Sequence, residues 1–329
     1  MKNNTTILAA AFATALACTG LSGAAMADDK PLAGKTLAFV PTSLGYDLTD
    51  GWYNMLKKEL EPEGLNIIVR DPNWSTATGA QALVSLISQK PDLLMVQNPD
   101  VQSYARLLRR AEGEGIPVLQ INMRSSVETT AFVGADWVGI GRAMAESAIE
   151  SCGEGSGQSG KVSLVQGPLT SASSVYQMEG INAAFEGRKD ITVVSSQAAN
   201  WDPSQARAIT DTVLKQHNDL CAVIDFWDGQ AVGSAAAIRR QRGDNKVLLI
   251  TNGGTEQTAA CDNIANGTFD KYMTYNVREQ STDIAELVRK ILTEDIRPGG
   301  ERLDRMTAVN VIDADNLTEN SCWKLSDYK

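Results

Sequence analysis

Histidine and closely spaced cysteine are nearly missing from this chain. It has a single histidine, His217, and no C-x-x-C pair. Zinc sites in proteins need several Cys or His ligands, usually at short spacing, so the sequence predicts no metal and no cofactor. A lone histidine in a polar turn also cannot serve as the base of a Ser-His-Asp or Cys-His arrangement. The sequence therefore gives no support to a hydrolase of either kind.

Positive charge is also scarce. The 30 Lys and Arg residues are outnumbered by 40 Asp and Glu residues, which gives a formal net charge of -10. Nucleic-acid surfaces need clustered cations that neutralise phosphates, so the sequence predicts no nucleic-acid partner. Arg239, Arg240 and Arg242 form one basic cluster at the end of a predicted helix, beside Gly243. A solvated last turn that complements the helix dipole explains that cluster.

No apolar run in the sequence is long enough to cross a bilayer. The longest candidate, from Ile7 to Ala17, follows the positive charge of Lys2 and precedes the small-x-small tripeptide Ala25-Met26-Ala27. Together these features predict a signal peptide at residues 1–27. The mature protein would begin at Asp28 and would reach the membrane only through a partner.

Export determines the expected chemical state of the cysteines. Lipid attachment at Cys18 is an alternative to signal cleavage, but the leucine at Leu16 is one place from its usual position. If Cys18 is removed with the signal, an even number of cysteines enters an oxidising compartment, where disulfides form. The four disulfide candidates are Cys152, Cys221, Cys261 and Cys322.

The 329 residues, of which 43% are hydrophobic, are enough for two globular domains. From Thr36 onward, ten strand-length apolar runs alternate with amphipathic helical patterns. Such runs are typical of parallel strands buried on both faces, and the alternation predicts a doubly wound α/β fold. The Gly- and Ser-rich segment at 153–160 comes about midway. Two domains without a long linker predict several strand crossings, which would form a hinge.

The predicted carboxyl ends of these strands share an unusual composition. Ligands of open α/β sheets bind at this edge, so we expect the site there. Five of the six tryptophans fall on it or just beyond: Trp52, Trp74, Trp137, Trp201 and Trp227. The same edge carries Asp47, Asp50, Asp136, Asp202 and Asp228. Aspartates at strand ends more often cap the next helix or accept hydrogen bonds from a ligand than catalyse, so we predict that the chain is not an enzyme.

Residues 35 to about 312 resemble the type I periplasmic substrate-binding proteins of ABC transporters, in the sugar-binding branch related to ribose-binding protein. The order and spacing of several passages carry this resemblance: GKTLAFVPTSLGYDLTDGWYNMLKKEL, QKPDLLMVQNPD, GIPVLQINMR, FVGADWVGIGRAMAES, GKVSLVQG, QAANWDPSQARAITDTVL and CAVIDFWDGQAVGSAAAI. It implies two doubly wound, Rossmann-like lobes joined by a three-stranded hinge. The lobes would close on a sugar, and the closed form would dock on a membrane permease.

The resemblance also implies the division of the chain. The N-terminal lobe would hold residues 28–135 and 276–305, and the C-terminal lobe residues 136–275 and 306–329. Crossings would fall near Ala135–Trp137, Tyr275–Asn276 and Asp304–Met306. The hinge residues would be Ala135, Asp136, Trp137 and Asn276. On this fold we prefer disulfides between Cys221 and Cys261 and between Cys152 and Cys322, although spacing alone does not decide the connectivity.

Carried over by position, the resemblance implies a set of ligand-binding residues. They are Tyr46, Asp47, Trp52, Asn122, Arg124, Tyr176, Trp201, Trp227, Asp228, Asn252 and Tyr275. Trp52 also lies on the apolar stripe of its helix, so core packing is an alternative for it. Asn122 and Asn252 stand where the family has an acid, and Val175 stands where it has an arginine. The site would thus be richer in aromatics and poorer in charge than the family pattern.

These observations predict a periplasmic solute-binding protein of an ABC importer, a monomer that binds a sugar or sugar alcohol and delivers it to a permease. A ligand-presenting sensor for a chemoreceptor or a histidine-kinase ectodomain is the alternative. A transcriptional repressor with this fold would need an N-terminal helix-turn-helix, which the export signal replaces.

Overall fold

The computed structural model describes Met1, residues 30–241 and residues 246–328. The predicted signal peptide with its cleavage site, the predicted new N-terminus at Asp28, Cys18 and Arg242 lie outside the described residues.

Within the described residues, twelve strands and nine α-helices follow one another along the chain. The strands are β1 Thr36–Val40, β2 Asn66–Val69, β3 Leu93–Val96, β4 Val118–Ile121, β5 Ala131–Ala135, β6 Lys161–Gln166, β7 Thr192–Ala198, β8 Ala222–Asp225, β9 Leu248–Gly253, β10 Lys271–Thr274, β11 Leu303–Thr307 and β12 Asn310–Ile312. The helices are α1 Asp47–Leu60, α2 Thr76–Gln89, α3 Ala105–Gly113, α4 Trp137–Cys152, α5 Ala172–Phe185, α6 Pro203–Gln216, α7 Asp228–Arg240, α8 Asp262–Ala265 and α9 Val277–Thr293. A π-helical turn spans Gln257–Cys261, and a 3-10 helix spans Leu325–Tyr328.

The strands form two six-stranded sheets with the same order. One runs β2-β1-β3-β4-β5-β11 and the other β7-β6-β8-β9-β10-β12. The paired strands are parallel except β12, which is antiparallel to β10. We call the first sheet with α1–α3 and α9 the first lobe, and the second sheet with α4–α8 the second lobe. The predicted class, two doubly wound α/β lobes, is confirmed.

Burial explains which strands the sequence predicts. Central strands such as β3 and β8 are buried along their whole length, as near-continuous apolar runs require. All ten predicted strands are present. The sequence did not predict β11 or β12, because only one residue of each edge strand is buried and their polar side chains interrupt any apolar pattern.

The chain passes between the lobes three times. It leaves the first lobe after β5 at Asp136, whose Oδ1 accepts a hydrogen bond from Gly139 N at 2.9 Å and caps α4. It returns at Tyr275 and Asn276, and the Asn276 side chain caps α9. The last crossing lies between β11 and β12, after Thr307. This crossing comes later in the chain than the predicted one at Asp304–Met306, because β11 stays paired with β5 as far as Thr307.

The two disulfides differ from the preferred pairing, which was wrong. Cys152 bonds to Cys221, and Cys261 bonds to Cys322. Cys221 precedes β8 at the amino end of the second sheet, whereas Cys261 lies beyond the carboxyl end of β9. A strand of six residues spans roughly 20 Å, and a disulfide needs Cα atoms within about 7 Å. The predicted partners therefore lie at opposite edges of the sheet.

The C-terminal segment contacts both lobes. Trp323 is buried, and its Nε1 donates to the Gly254 carbonyl at 2.7 Å in the second lobe. The indole ring packs so closely on α1 of the first lobe that a Cβ added to Gly51 would lie 2.6 Å from it. Further along, the Lys58 Nζ of α1 donates to the Asp327 carbonyl at 3.1 Å. This segment lies across the lobes rather than on the second lobe alone.

Candidate ligand-binding site

A cavity of about 560 Å³ lies between the lobes at the carboxyl ends of their strands. The first lobe contributes residues that follow β1, β2, β3 and β4, and the second lobe residues that follow β6, β7 and β8. Ligands of open α/β sheets bind at this edge, and small-molecule sites typically measure roughly 300–1,000 Å³. The aromatic residues that line the cavity are Tyr46, Trp74, Tyr104, Trp137, Trp201, Phe226, Trp227 and Tyr275.

Four of these rings form a continuous row, which we call the aromatic row. The Tyr46 ring lies 5.1 Å from Trp74 and 6.1 Å from Trp227, measured between centroids. Trp227 in turn lies 6.0 Å from Trp201, edge to face. Trp74 and Tyr46 belong to the first lobe, and Trp227 and Trp201 to the second. The row therefore crosses the cavity from lobe to lobe and offers it a broad apolar surface.

Two further rings, which we call the hinge pair, lie where the chain crosses between the lobes. Trp137 and Tyr275 are buried, and their centroids are 5.0 Å apart. The Trp137 indole is fixed because its Nε1 donates to the Asn122 carbonyl at 2.8 Å. The hinge pair forms the deep end of the cavity.

Each lobe presents one tryptophan from an Asn-Trp turn with the same backbone conformation. Asn73 and Trp74 have φ angles of 49° and 65°, and Asn200 and Trp201 have 54° and 64°. Each pair follows the outer strand of its sheet, β2 or β7, and precedes the helix that comes next. Left-handed backbone is uncommon outside glycine and is a clear outlier for a bulky residue. Such strain is concentrated at functional sites, which marks both turns.

Two buried amides that line the cavity from the first lobe carry unpaired hydrogen-bond donors. Gln97 Oε1 accepts from both Thr42 N and Thr42 Oγ1 at 3.0 Å. Because a backbone N–H can only donate, this contact fixes the amide with its Nε2 unbonded. Asn122 Nδ2 is likewise buried without a protein partner. An unpaired buried polar group costs about 1–3 kcal/mol, so a ligand acceptor at these atoms stabilises the complex.

The phenol of Tyr46 also faces this polar region. Burial raises the pKa of Tyr46 to about 12, although its hydrogen bond with Thr42 acts in the opposite direction. The Gln97 side chain is near enough to lower this pKa as well, yet no hydrogen bond joins Gln97 Nε2 to the phenol. Tyr46 is therefore a neutral phenol at any physiological pH.

Charge is nearly absent from the cavity wall. Among the described residues, no lysine, arginine or histidine lines it, and Asp100 and Asp202 are its only carboxylates. Asp100 Oδ1 accepts from two backbone amides of its own loop, at 2.7 and 2.8 Å. Asp202 Oδ1 caps α6 through two backbone amides, at 2.7 and 3.0 Å. Both carboxylates are largely committed to the protein backbone.

A group of buried and partly buried acids lies beside the cavity. Asp228 Oδ2 accepts from the Tyr272 hydroxyl at 2.6 Å, and burial raises the pKa of Asp228 well above its usual value, with nearby Asp47 adding to the effect. Burial also raises the pKa of Asp47 to about 6 and that of Asp225 to about 7. These acids therefore hold protons at a pH where exposed carboxyls have lost them.

Five of the predicted ligand-binding residues line the cavity: Tyr46, Asn122, Trp201, Trp227 and Tyr275. Trp137, predicted at the hinge, lines it as well. Their binding role stays a prediction.

Other predicted residues lie elsewhere. Trp52 is fully buried between α1 and α9, where its Nε1 donates to Gln280 Oε1 at 3.1 Å, so its side chain is part of the core. The Arg124 guanidinium stacks 4.2 Å from the centre of the Phe132 ring and pairs with Asp304 at 3.3 Å. Its charge is thus held at β11 and not in the cavity.

The remaining predicted residues lie behind the cavity wall. Asn252 Nδ2 donates to Gln177 Oε1 at 2.8 Å, and both side chains are buried. Tyr176 packs against the core from α5. Asp47 and Asp228 belong to the buried acids beside the cavity. None of these side chains lines it.

Prediction from the sequence missed Trp74 and Gln97 as site residues. Trp74 was placed on the correct edge of the sheet, but no family position pointed to it. The signal was present in the repeated Asn-Trp dipeptide, which occurs once in each lobe, at 73–74 and 200–201. Gln97 directly follows β3, but an amide there has no distinctive pattern.

The described ranges, 30–241 and 246–328, contain no group of three or more His, Cys, Asp or Glu side chains placed to hold a metal ion. In the same part of the chain, no helix combines the length and apolar character needed to cross a membrane.

Comparison with known proteins agrees with this architecture. The model of the periplasmic binding protein domain family matches residues 37–295. The ribose import binding protein of Bacillus subtilis is 24% identical over 242 residues, which are 73% of each chain.

Solved structures agree as well. An ABC transporter solute-binding protein from Burkholderia graminis, in complex with D-arabinose, superposes with a TM-score of 0.77 at 20% identity and covers 88% of this chain and 99% of its own. The fructose-binding periplasmic domain of a hybrid two-component system has a TM-score of 0.76 at 17% identity, with 86% and 91% covered. The chain therefore belongs to the periplasmic binding protein family, as its resemblance to type I members predicted, and it is a solute-binding protein and not an enzyme.

Proposed function

We propose that the chain is an extracytoplasmic solute-binding protein of an ABC importer. It binds a sugar or sugar alcohol in the cavity between its lobes and delivers it to a membrane permease. In this proposal the signal peptide is cleaved after Ala27, and the monomeric protein works in the periplasm.

The observation that carries the proposal is the aromatic row, which joins both lobes across one cavity with free amide donors. Sugars have C–H faces that pack on aromatic rings and hydroxyl edges that need partners once they leave water. Trp227 and Trp201 supply ring surface, while Gln97 and Asn122 supply buried donors. A ligand that lacks a matching acceptor leaves those donors unpaired, which provides discrimination.

Closure of the lobes would convert binding into a signal for the permease. Besides the crossings, Val101 N of the first lobe donates to the Thr170 carbonyl of the second at 3.1 Å. The Tyr46 and Trp227 rings also meet across the lobes. A ligand that contacts both walls favours the closed state by its difference in affinity for the two states.

The relatives support the class of ligand. One relative is named as a ribose import binding protein. The Burkholderia graminis structure is named as an ABC transporter solute-binding protein in complex with D-arabinose. These names describe those proteins, and for this chain they support a carbohydrate or polyol.

The test is a ligand screen on the exported protein. Mass spectrometry first identifies any molecule that copurifies, and a thermal-shift screen then covers sugars, polyols and small amides. A carbohydrate or polyol should raise the melting temperature, and small-angle scattering should show compaction with the same compound. Stabilisation by small amides alone, or identical scattering with and without the best ligand, would count against the proposal.

A sensor that presents its ligand to a chemoreceptor or histidine kinase is the second candidate. The observation that favours it is the structural match to a fructose-binding domain of a two-component system. Affinity capture from membranes with the ligand-loaded protein separates the two. Recovery of a permease supports the importer, and recovery of a receptor or kinase ectodomain supports the sensor.

A further inference from the structure

Within the proposed function, and dependent on it, we propose that the ligand is an uncharged carbohydrate derivative with two parts. A sugar ring lies against the hinge pair, Trp137 and Tyr275, and an apolar substituent such as an aryl aglycone lies along the aromatic row.

The two aromatic groups lie at different depths. Trp137 and Tyr275 are 6% and 2% exposed, whereas Trp74 at the first-lobe end of the row is 51% exposed. Trp201, at the other end of the row, is partly buried. The hinge pair therefore lies deeper than the aromatic row, whose rings are all at least partly exposed and whose Trp74 end reaches the mouth. A ligand that contacts both groups is elongated.

The volume agrees with more than one ring. Pockets of roughly 300–1,000 Å³ hold drug-sized ligands, and the cavity measures about 560 Å³. A single sugar ring is smaller than such a ligand. It would leave either the hinge pair or the mouth of the row without a contact, and unfilled apolar surface contributes nothing to affinity.

The charges exclude acidic ligands. No cation lines the cavity within the described residues, and Asp100 and Asp202 face it. A sugar acid or sugar phosphate would find no positive partner there among the described residues to offset its desolvation.

One of the two free donors lies beside the deep end, while the other, on Gln97, lies near Tyr46 of the row. The Asn122 carbonyl bonds to the Trp137 indole, which places the unbonded Asn122 amide next to the hinge pair. In contrast, no side-chain N or O atom of Trp74, Trp201 or Trp227 is both buried and unpaired. The polar part of the ligand is therefore expected at the hinge pair, and its apolar part along the row.

The experiment is calorimetric titration of matched ligands. The probes are D-glucose, D-galactose and D-xylose, each as the free sugar, the methyl glycoside and the phenyl glycoside, together with D-ribose, xylitol and D-gluconate. We expect at least one phenyl glycoside to bind about tenfold or more tightly than its methyl counterpart, as an added aromatic contact predicts. D-gluconate should not bind.

Trp74→Ala is the test variant and Trp74→Phe its matched control; because Trp74 is half exposed, its loss should leave the melting temperature of the free protein unchanged. The advantage of phenyl over methyl should disappear in Trp74→Ala and persist in Trp74→Phe.

The outcomes separate this inference from the proposed function. If a free sugar or polyol binds as tightly as any phenyl glycoside, and Trp74→Ala changes no affinity, the two-part ligand is wrong while the sugar-binding function stands. If the folded protein binds no sugar, polyol or glycoside of the panel, both are wrong.

Discussion

The two lobes share a strand order and an Asn-Trp turn, yet they form chemically different halves of the cavity. The first lobe provides the unbonded amide donors of Gln97 and Asn122. In the second lobe, Asn252 and Asp228 are bonded to other side chains behind the wall. Its cavity lining combines ring surface with polar side chains, such as Asn200 and Asp202, that already have protein partners. Two lobes of the same architecture thus differ in chemistry: the first lobe offers free donors for polar groups of a ligand, and the second lobe offers mainly apolar packing.

The lobes also differ in covalent structure. Both disulfides involve the second lobe, because Cys152–Cys221 joins α4 to β8 and Cys261–Cys322 joins the C-terminal segment to the turn after β9. In the first lobe, the described residues contain no disulfide. The second lobe is therefore the one whose unfolded state is restricted by cross-links.

The largest expected effect tests this covalent difference. Replacing Cys261 and Cys322 by Ser should lower the free energy of unfolding by about 2–4 kcal/mol, because the cross-link closes a long loop. It should also loosen Trp323, which packs on α1, and so alter closure. Replacing Cys152 and Cys221 should lower stability by a similar amount and leave ligand affinity unchanged.

Urea unfolding and calorimetry measure both quantities for each double variant. Four free thiols in the purified exported protein, or a melting temperature unaffected by reductant, would contradict the stabilisation by disulfides.

The next effect tests the apolar half of the cavity. Trp227 lies at the centre of the aromatic row and contacts rings of both lobes, as binding hot spots do. Trp227→Ala should weaken ligand binding by about thirtyfold or more, which corresponds to about 2 kcal/mol. Trp201→Ala should weaken it strongly too, and the melting temperature of the free protein should hardly change in either variant.

Trp52→Phe is the matched control, because this tryptophan lies in the core between α1 and α9. It should lower the melting temperature and leave affinity intact. Wild-type affinity in Trp227→Ala and Trp201→Ala would contradict the proposed packing of the ligand on the aromatic row.

A smaller effect tests the polar half. Gln97→Glu keeps the oxygen that accepts from Thr42 and replaces the unbonded Nε2 donor by a second oxygen. Loss of a buried donor to the ligand should weaken binding about tenfold. In the second lobe, Gln197→Glu makes the same chemical change, but Gln197 is exposed, its amide bonds to Ser195, and it does not line the cavity. Its affinity should stay within about twofold of wild type, and equal losses in the two variants would contradict the division between the lobes.

Much of this architecture could be predicted because its signals are local. The ten predicted strands are buried apolar runs, and the edge at which Trp201, Trp227 and Tyr275 lie follows from the polarity of parallel strands. The features that were missed depend on distant contacts. Edge strand β11 is half exposed, and the disulfide partners of Cys152 and Cys261 depend on which end of the sheet each cysteine occupies.

The extent to which a side chain is buried also could not be predicted from the local sequence. Trp52 and Trp74 both follow strand ends, yet one is fully buried and the other is half exposed at the mouth. Arg124 is drawn away from the cavity by Asp304, which lies 180 residues further along the chain. Such partners become neighbours only once the lobes are assembled.

The smallest effect concerns pH, and it too differs between the lobes. Burial raises the pKa of Asp225 to about 7 in the second lobe, where the pKa of Asp228 is also raised, and that of Asp47 to about 6 in the first. All three carboxyls ionise near pH 4 in the unfolded chain. Between pH 4 and each raised pKa, the folded protein holds protons that the unfolded chain has released, so stability falls as pH rises. Each group contributes at most about 1.4 kcal/mol per pH unit.

Other shifted carboxyls do not offset this slope. Asp190, Asp219 and Asp313 have pKa values lowered by hydrogen bonds from neighbouring cations, so they are ionised in both states above pH 5. We therefore expect the free energy of unfolding to decrease by at least about 1 kcal/mol per pH unit from pH 5 to 7. Burial also raises the pKa of Asp283 in α9 of the first lobe, but Asp283 and Asp47 are only partly buried, whereas Asp225 and Asp228 of the second lobe are fully buried. Hydrogen-exchange protection, corrected for intrinsic rates, should therefore decrease more in β8 than in β1. A stability that rises over this range, or equal losses in both strands, would show that the buried acids do not distinguish the lobes.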